Sequence, residues 1–182
     1  MLRLRCDIEQ VADWHPQLFL DSQIAACVVI LREYSRSPAE FTVDCVNIQT
    51  RRLGPASRVR LEVAWSAETE AKAMRLRRTL QRKPLVEAAA TALALILVHE
   101  LTKLGQLDVT EYGDRADYRS IDDRCVLEVS GTENLDELPR RERQKLTQAI
   151  SNPNAWDAYV VVSAFSARGH RIRFSRHTRR EP

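Results

Sequence analysis

The chain's 182 residues, 44% apolar and 29% charged, hold enough hydrophobic material for one sizeable core or two small adjoining ones, which excludes a disordered chain. The net charge of +3 is small but unevenly spread. Lys72, Arg75, Arg77, Arg78, Arg82 and Lys83 crowd one segment, and Arg168, Arg171, Arg173, Arg176, Arg179 and Arg180 another, the footprint of either a polyanion-binding surface or a simply solvated helix and tail.

Residues 1–66 read as a β-rich region. Leu2, Leu4, Cys6 and Ile8 alternate with charged residues, as a half-buried strand requires. Ile24 to Leu31 is a continuous apolar run, expected to be a central strand. Phe41, Val43 and Cys45, then Val59, Leu61, Val63 and Trp65, alternate in the same way. Ser35 to Pro38 and Leu53-Gly54-Pro55 supply turns, so four strands in a small antiparallel sheet are expected. Trp14, His15 and Pro16 fall in a loop, with His15 at the surface.

A basic connecting helix follows over residues 67–83. Pro84 then sits near the start of the most apolar helix, Leu85 to Leu104, which Gly105 stops. Its stripe of Val86, Ala89, Leu93, Leu97 and Leu101 reads as a central helix packed on a sheet. Leu107 to Thr110 is a short strand. Leu135 to Ile150 has helical spacing, the regular helix beginning near Pro139. Tyr159 to Ala164 reads as a buried strand and Ile172 to Phe174 as an edge strand.

Between these lies the most informative stretch. Alternating runs on either side of Asp122-Asp123 make a hairpin from Arg115 to Ser130. Its ladder runs Ser120–Cys125, Arg119–Val126, Tyr118–Leu127 and Asp117–Glu128. Ala116, Tyr118, Cys125, Leu127 and Val129 then share an apolar face, and Arg115, Asp117, Arg119, Glu128 and Ser130 the other. A one-residue slip would send the charged set into the core. Opposed side chains sit about 4.5–5.5 Å apart at Cβ, where like charges repel. The two carboxylates therefore need a divalent cation between them, or the neighbouring Arg115 and Arg119. Gly131 is expected to end the hairpin, Ser130-Gly131-Thr132 being the turn into the next helix.

From residue 85 to about 165 the expected order is helix, three strands, helix, strand, with an Asp on the second strand and Glu128-Val129-Ser130 on the third. This resembles the PD-(D/E)XK nuclease-like superfamily, with a degenerate motif. The resemblance implies an α/β (α+β) fold, in which an αβββαβ core with a mixed sheet flanked by helices occupies residues 84–182 and ends in a basic tail. It implies Mg²⁺ or Mn²⁺ held by Asp117, Glu128 and Glu87, with Glu100 in reserve. Ser130 stands where the family has a catalytic Lys, and a hydroxyl supplies no positive charge. Lys145 on the following helix is the substitute, with Arg141 one turn before it and Gln148 about one turn after; a lysine in Arg-Gln-Lys is also at home in solvent.

The implied activity is hydrolysis of nucleic-acid phosphodiesters, in DNA processing or defence. Arg75, Arg78, Arg141, Arg171 and Arg173 would hold the phosphate backbone. The alternative is a catalytically inactive subunit that binds nucleic acid or scaffolds a complex. Few exposed aromatic residues are apparent, so base stacking is not expected.

Cys6, Cys27, Cys45 and Cys125 form no CxxC pair and sit within apolar patterns, as reduced thiols of a cytoplasmic protein do; a zinc site is not expected. Glu87, His99, Glu100 and Lys103 interrupt the richest apolar stretch, so no membrane span is expected. Open edges in the β-rich half suit a homo-oligomer or a larger complex.

Overall fold

The computed structural model describes residues 1–48, 56–102, 104–110, 116–122, 124–152 and 156–178. In chain order its elements are β1 (Leu2–Asp7), α1 (Gln10–Trp14), α2 (Asp21–Arg32), β2 (Ala39–Val46), β3 (Ala56–Ala64), α3 (Ala67–Leu76) and α4 (Arg82–Leu101). They continue as β4 (Leu107–Val109), β5 (Tyr118–Ser120), β6 (Cys125–Thr132), α5 (Leu138–Ile150), β7 (Asp157–Ala164) and β8 (His170–Thr178), a 3-10 turn at Leu135–Glu137 leading into α5. Among the described residues eight strands make one mixed sheet, ordered β1-β3-β2-β8-β7-β6-β5-β4. Pairs β1/β3, β2/β8 and β6/β7 are parallel and the other neighbours antiparallel. The mixed α+β class and the run α4-β4-β5-β6-α5-β7 are as the sequence suggests.

Helices cover the two faces unequally. Over one face lie α2 and α4, packed on each other and on the sheet, with Leu93, Ile96 and Leu97 of α4 fully enclosed. Over the other, α5 covers β6 and β7 and makes a smaller core with Val126, Val160 and Val162. By length and composition α4 alone among the described helices could cross a membrane, yet 67% of its apolar window is buried inside the protein.

Several expectations are corrected. Ile24 to Leu31 belongs to α2, not to a strand, and Ala26 to Leu31 are buried without a break. A helix enclosed on several sides is apolar all round, so its run has no period to separate it from a central strand. Its boundary charges were the available signal: Asp21 in the first turn and Arg32 in the last both complement the helix dipole. The expected separate antiparallel sheet in residues 1–66 is instead three strands of the single sheet, joined to the rest where β2 pairs with β8.

The supposed edge strand at Ile172 is β8, which lies centrally between β2 and β7. Its alternation reflects one face buried and one open beyond α5, where Arg171 is exposed. Gly131 does not end the hairpin either, since β6 continues to Thr132, with Gly131 level with Ser163 of β7. His15 is buried at 1% exposure, its Nε2 3.4 Å from the Leu95 carbonyl oxygen. Burial holds its pKa below the ordinary histidine value despite that contact. The expected turn at Leu53-Gly54-Pro55, and Arg115, Asp123, Arg179 and Arg180, lie outside the described residues.

Candidate functional site

The hairpin register is as the alternation requires: Tyr118 pairs with Leu127 and Arg119 with Val126. The paired backbone stops at Tyr118, so Asp117 comes level with Glu128 just past the end of β5. Its side chain continues the ladder, Oδ2 accepting the Val129 N–H at 2.7 Å. Ala116, outside the strand, packs against the smaller core under α5 and not with Tyr118, contrary to the expected shared face.

Glu128 lies on the face that α5 covers, which encloses what the hairpin alone presents as a solvated side. Only 3% of its side chain is exposed. Lys145 reaches down from α5, and its Nζ donates to Glu128 Oε2 at 2.6 Å and to Asp117 Oδ2 at 2.9 Å. The ammonium thus bridges the two acids, in the place where a cation was expected. Burial pushes the Glu128 carboxyl up to about 7; the Lys145 bond opposes this and the Asp117 charge adds to it. Burial works against the Lys145 ammonium too, but its bond to Glu128 and the charge of Asp117 outweigh it, and its pKa is raised.

A second set of groups adjoins the first. Arg141, four residues before Lys145 and so on the same face of α5, donates from Nη1 to Ser130 Oγ at 3.1 Å and from Nε to Glu137 at 2.7 Å. Its Nη1 is also 3.6 Å from Glu87 Oε1. Glu87 Oε2 accepts the Gly131 N–H at 2.8 Å. That contact needs a glycine: a Cβ at position 131 would stand 2.8 Å from the Val86 carbonyl carbon and nearer still to its oxygen. Ser130-Gly131-Thr132, considered as a turn, is therefore a strand segment against which α4 lies in close contact.

Glu87, Asp117, Glu128, Ser130, Arg141 and Lys145 are thus gathered from four parts of the chain. Glu100 is not; thirteen residues beyond Glu87 on α4, it lies about 20 Å along the helix axis. Among the other expected phosphate contacts, Arg171 pairs with Asp44 at 2.7 Å and Arg173 with Glu142 at 2.6 Å. Arg75 and Arg78 are exposed on and just after α3, which packs on α2.

Among the described residues, two grooves meet at this site. One, about 540 Å³, is lined by Ala116, Glu128, Gln148 and Ser151. The other, about 360 Å³, is lined by Glu87, Thr91, Tyr118 and Val129. Asp117 and Lys145 line both. Thr91 and Ser151 were not singled out from the sequence, and Tyr118 only as part of the hairpin's apolar face; for Ser151 the available signal was its place just past α5, three residues after Gln148, which itself follows Lys145 by three. Phe19 and Trp156 are exposed at 87% and 55%, so the surface is less poor in aromatic residues than the sequence suggests.

The oxygen donors of Asp117 and Glu128 suit a hard divalent ion that keeps most of its waters. Glu87 turns instead to Gly131 and Arg141, and among the described residues no three metal-ligating side chains form one cluster. No protein-family model, curated protein or solved structure matches this chain.

Proposed function

We propose that this chain is a metal-dependent hydrolase of nucleic-acid phosphodiesters, of the PD-(D/E)XK nuclease-like kind. The observation that carries this reading is Lys145, whose ammonium converges on Asp117 and Glu128 within hydrogen-bond reach of both. A basic group supplied from the next helix answers the hydroxyl at Ser130.

Mg²⁺ or Mn²⁺ bound by Asp117 and Glu128 would polarise the phosphoryl oxygen and activate a water. The chain's own groups do the rest. Lys145, once released from the acids, offers a positive charge to a non-bridging phosphate oxygen. Asp117 is fixed by the Val129 N–H, so its carboxylate keeps its direction when Lys145 moves. Arg141, itself paired with Glu137, holds Ser130 one helical turn away. Nucleic acid is the proposed partner, and the cytoplasm the proposed compartment, in keeping with three buried free thiols and one half-buried.

A second reading draws on the same contact. Lys145 already pairs with both carboxylates, as it would in a nuclease-fold subunit that binds nucleic acid, or scaffolds a complex, without chemistry. Titration with Mg²⁺ or Mn²⁺, followed by thermal denaturation, separates the two. The hydrolase is expected to gain about 2.7 kcal/mol at a hundredfold excess over Kd, a Tm rise of roughly 5–10 °C. Asp117→Asn and Glu128→Gln are each expected to abolish that rise, and with it the cleavage of oligonucleotides. No metal response in the parent chain would leave the non-catalytic reading.

A further inference from the structure

The acids and the ammonium lie at the meeting point of two grooves and not at the end of one. Glu128 and Lys145 are recessed, their side chains 3% and 20% exposed. A phosphate that reaches Lys145 must therefore bring its substituents down into the grooves. Each groove falls within, or close to, the roughly 300–1,000 Å³ typical of a small-ligand site, the scale of one nucleoside and not of a base pair with its second strand.

Their linings differ. Beyond the acids, the α5 side offers a sugar or a base edge the Gln148 amide and, as acceptors, the hydroxyl oxygens of Thr147 and Ser151, which donate to the Arg143 and Gln148 carbonyls. The α4 side offers the half-buried ring of Tyr118 beside Val129, against which the plane of a base can lie, with Glu87 and Thr91 making the rest of the wall polar.

We propose, resting on the hydrolase reading for the position of the phosphate, that the site takes an unpaired stretch of nucleic acid with one nucleoside in each groove and the phosphodiester between them at Lys145. A paired segment would carry its complement against α4 and α5 and could not seat both nucleosides.

The test uses the whole chain without divalent ions at low ionic strength, where phosphate contacts are strongest. Fluorescence anisotropy of a labelled 12-nucleotide single strand is compared with that of a blunt duplex of the same sequence. The single strand is expected to bind at least tenfold more tightly. In competition, the dinucleoside monophosphate TpT is expected to displace the label at a concentration at least tenfold below that of the 5′- or 3′-methyl phosphodiester of thymidine. Each of these has the same single charge and only one nucleoside.

Equal binding of duplex and single strand, equal competition by the one-nucleoside esters, or no oligonucleotide binding would each overturn the proposal. The metal titration reads the hydrolase independently. A metal response without this selectivity removes only the two-groove proposal. Selectivity without a metal response keeps the two-groove site and removes the hydrolase.

Discussion

Lys145→Met is expected to lower stability at pH 8 by about 3–5 kcal/mol, roughly 10 °C in Tm, because it leaves Glu128 buried without its cation and facing Asp117. The loss is expected to shrink at pH 5. The Glu128 carboxyl titrates near 7 in the folded chain against an ordinary value of 4.5. Its folded pKa is thus raised, so the protonated form favours the folded state. That contribution is complete below about 4.5 and disappears as pH rises through about 7.

Without the Lys145 bond, which opposes the shift, the window extends to higher pH in the variant. Lys145 itself has a raised pKa, so the stability its ammonium contributes is fully present at both pH 5 and pH 8 and is lost only as pH rises into the alkaline range. Melting curves at pH 5 and pH 8 check this, and an equal Tm loss at both would show that the pair does not act electrostatically. Adding Glu128→Gln to Lys145→Met is expected to recover most of the stability at pH 8. The double-variant cycle isolates the pair from any loss of packing by the lysine stem.

Gly131→Ala is the second large effect, expected to cost about 1–3 kcal/mol through overpacking. The added methyl group would collide with the main chain of α4 at Val86, not with the movable end of a side chain. Because α4 is enclosed on nearly all sides, neither it nor β6 can yield cheaply. The midpoint of urea denaturation is expected to fall with little change in slope. Gly105→Ala, with nothing within 4 Å of its added carbon, is expected to change stability by less than about 0.5 kcal/mol and serves as the control. The same collision would strain the bond from the Gly131 N–H to Glu87.

The two variants also mark how far the primary structure is readable. The pairing of Tyr118 with Leu127 follows from alternation alone, because a slipped register would bury the charged face. The start of α5 beside Pro139 follows from the fixed backbone of proline and its missing N–H. In contrast, α2 and the interior strand β8 were misplaced for opposite reasons. Complete burial removes the period from α2, and an uncovered face gives β8 the polar alternation of an edge. Neither environment is a property of the segment itself.

The chain order of apolar and polar residues therefore suffices for the hairpin, the central helix and the presence of two opposed acids, since these depend on neighbours a few residues apart. Three features required the folded molecule: that α5 closes over Glu128, that Lys145 descends between the acids, and that Gly131 admits α4 closely enough for Glu87 to bond to β6. Each joins residues 17 to 44 positions apart, and their meeting is decided by how helices cover the two faces of the sheet. Periodicity shows which side of an element is apolar; only packing decides what is laid against it.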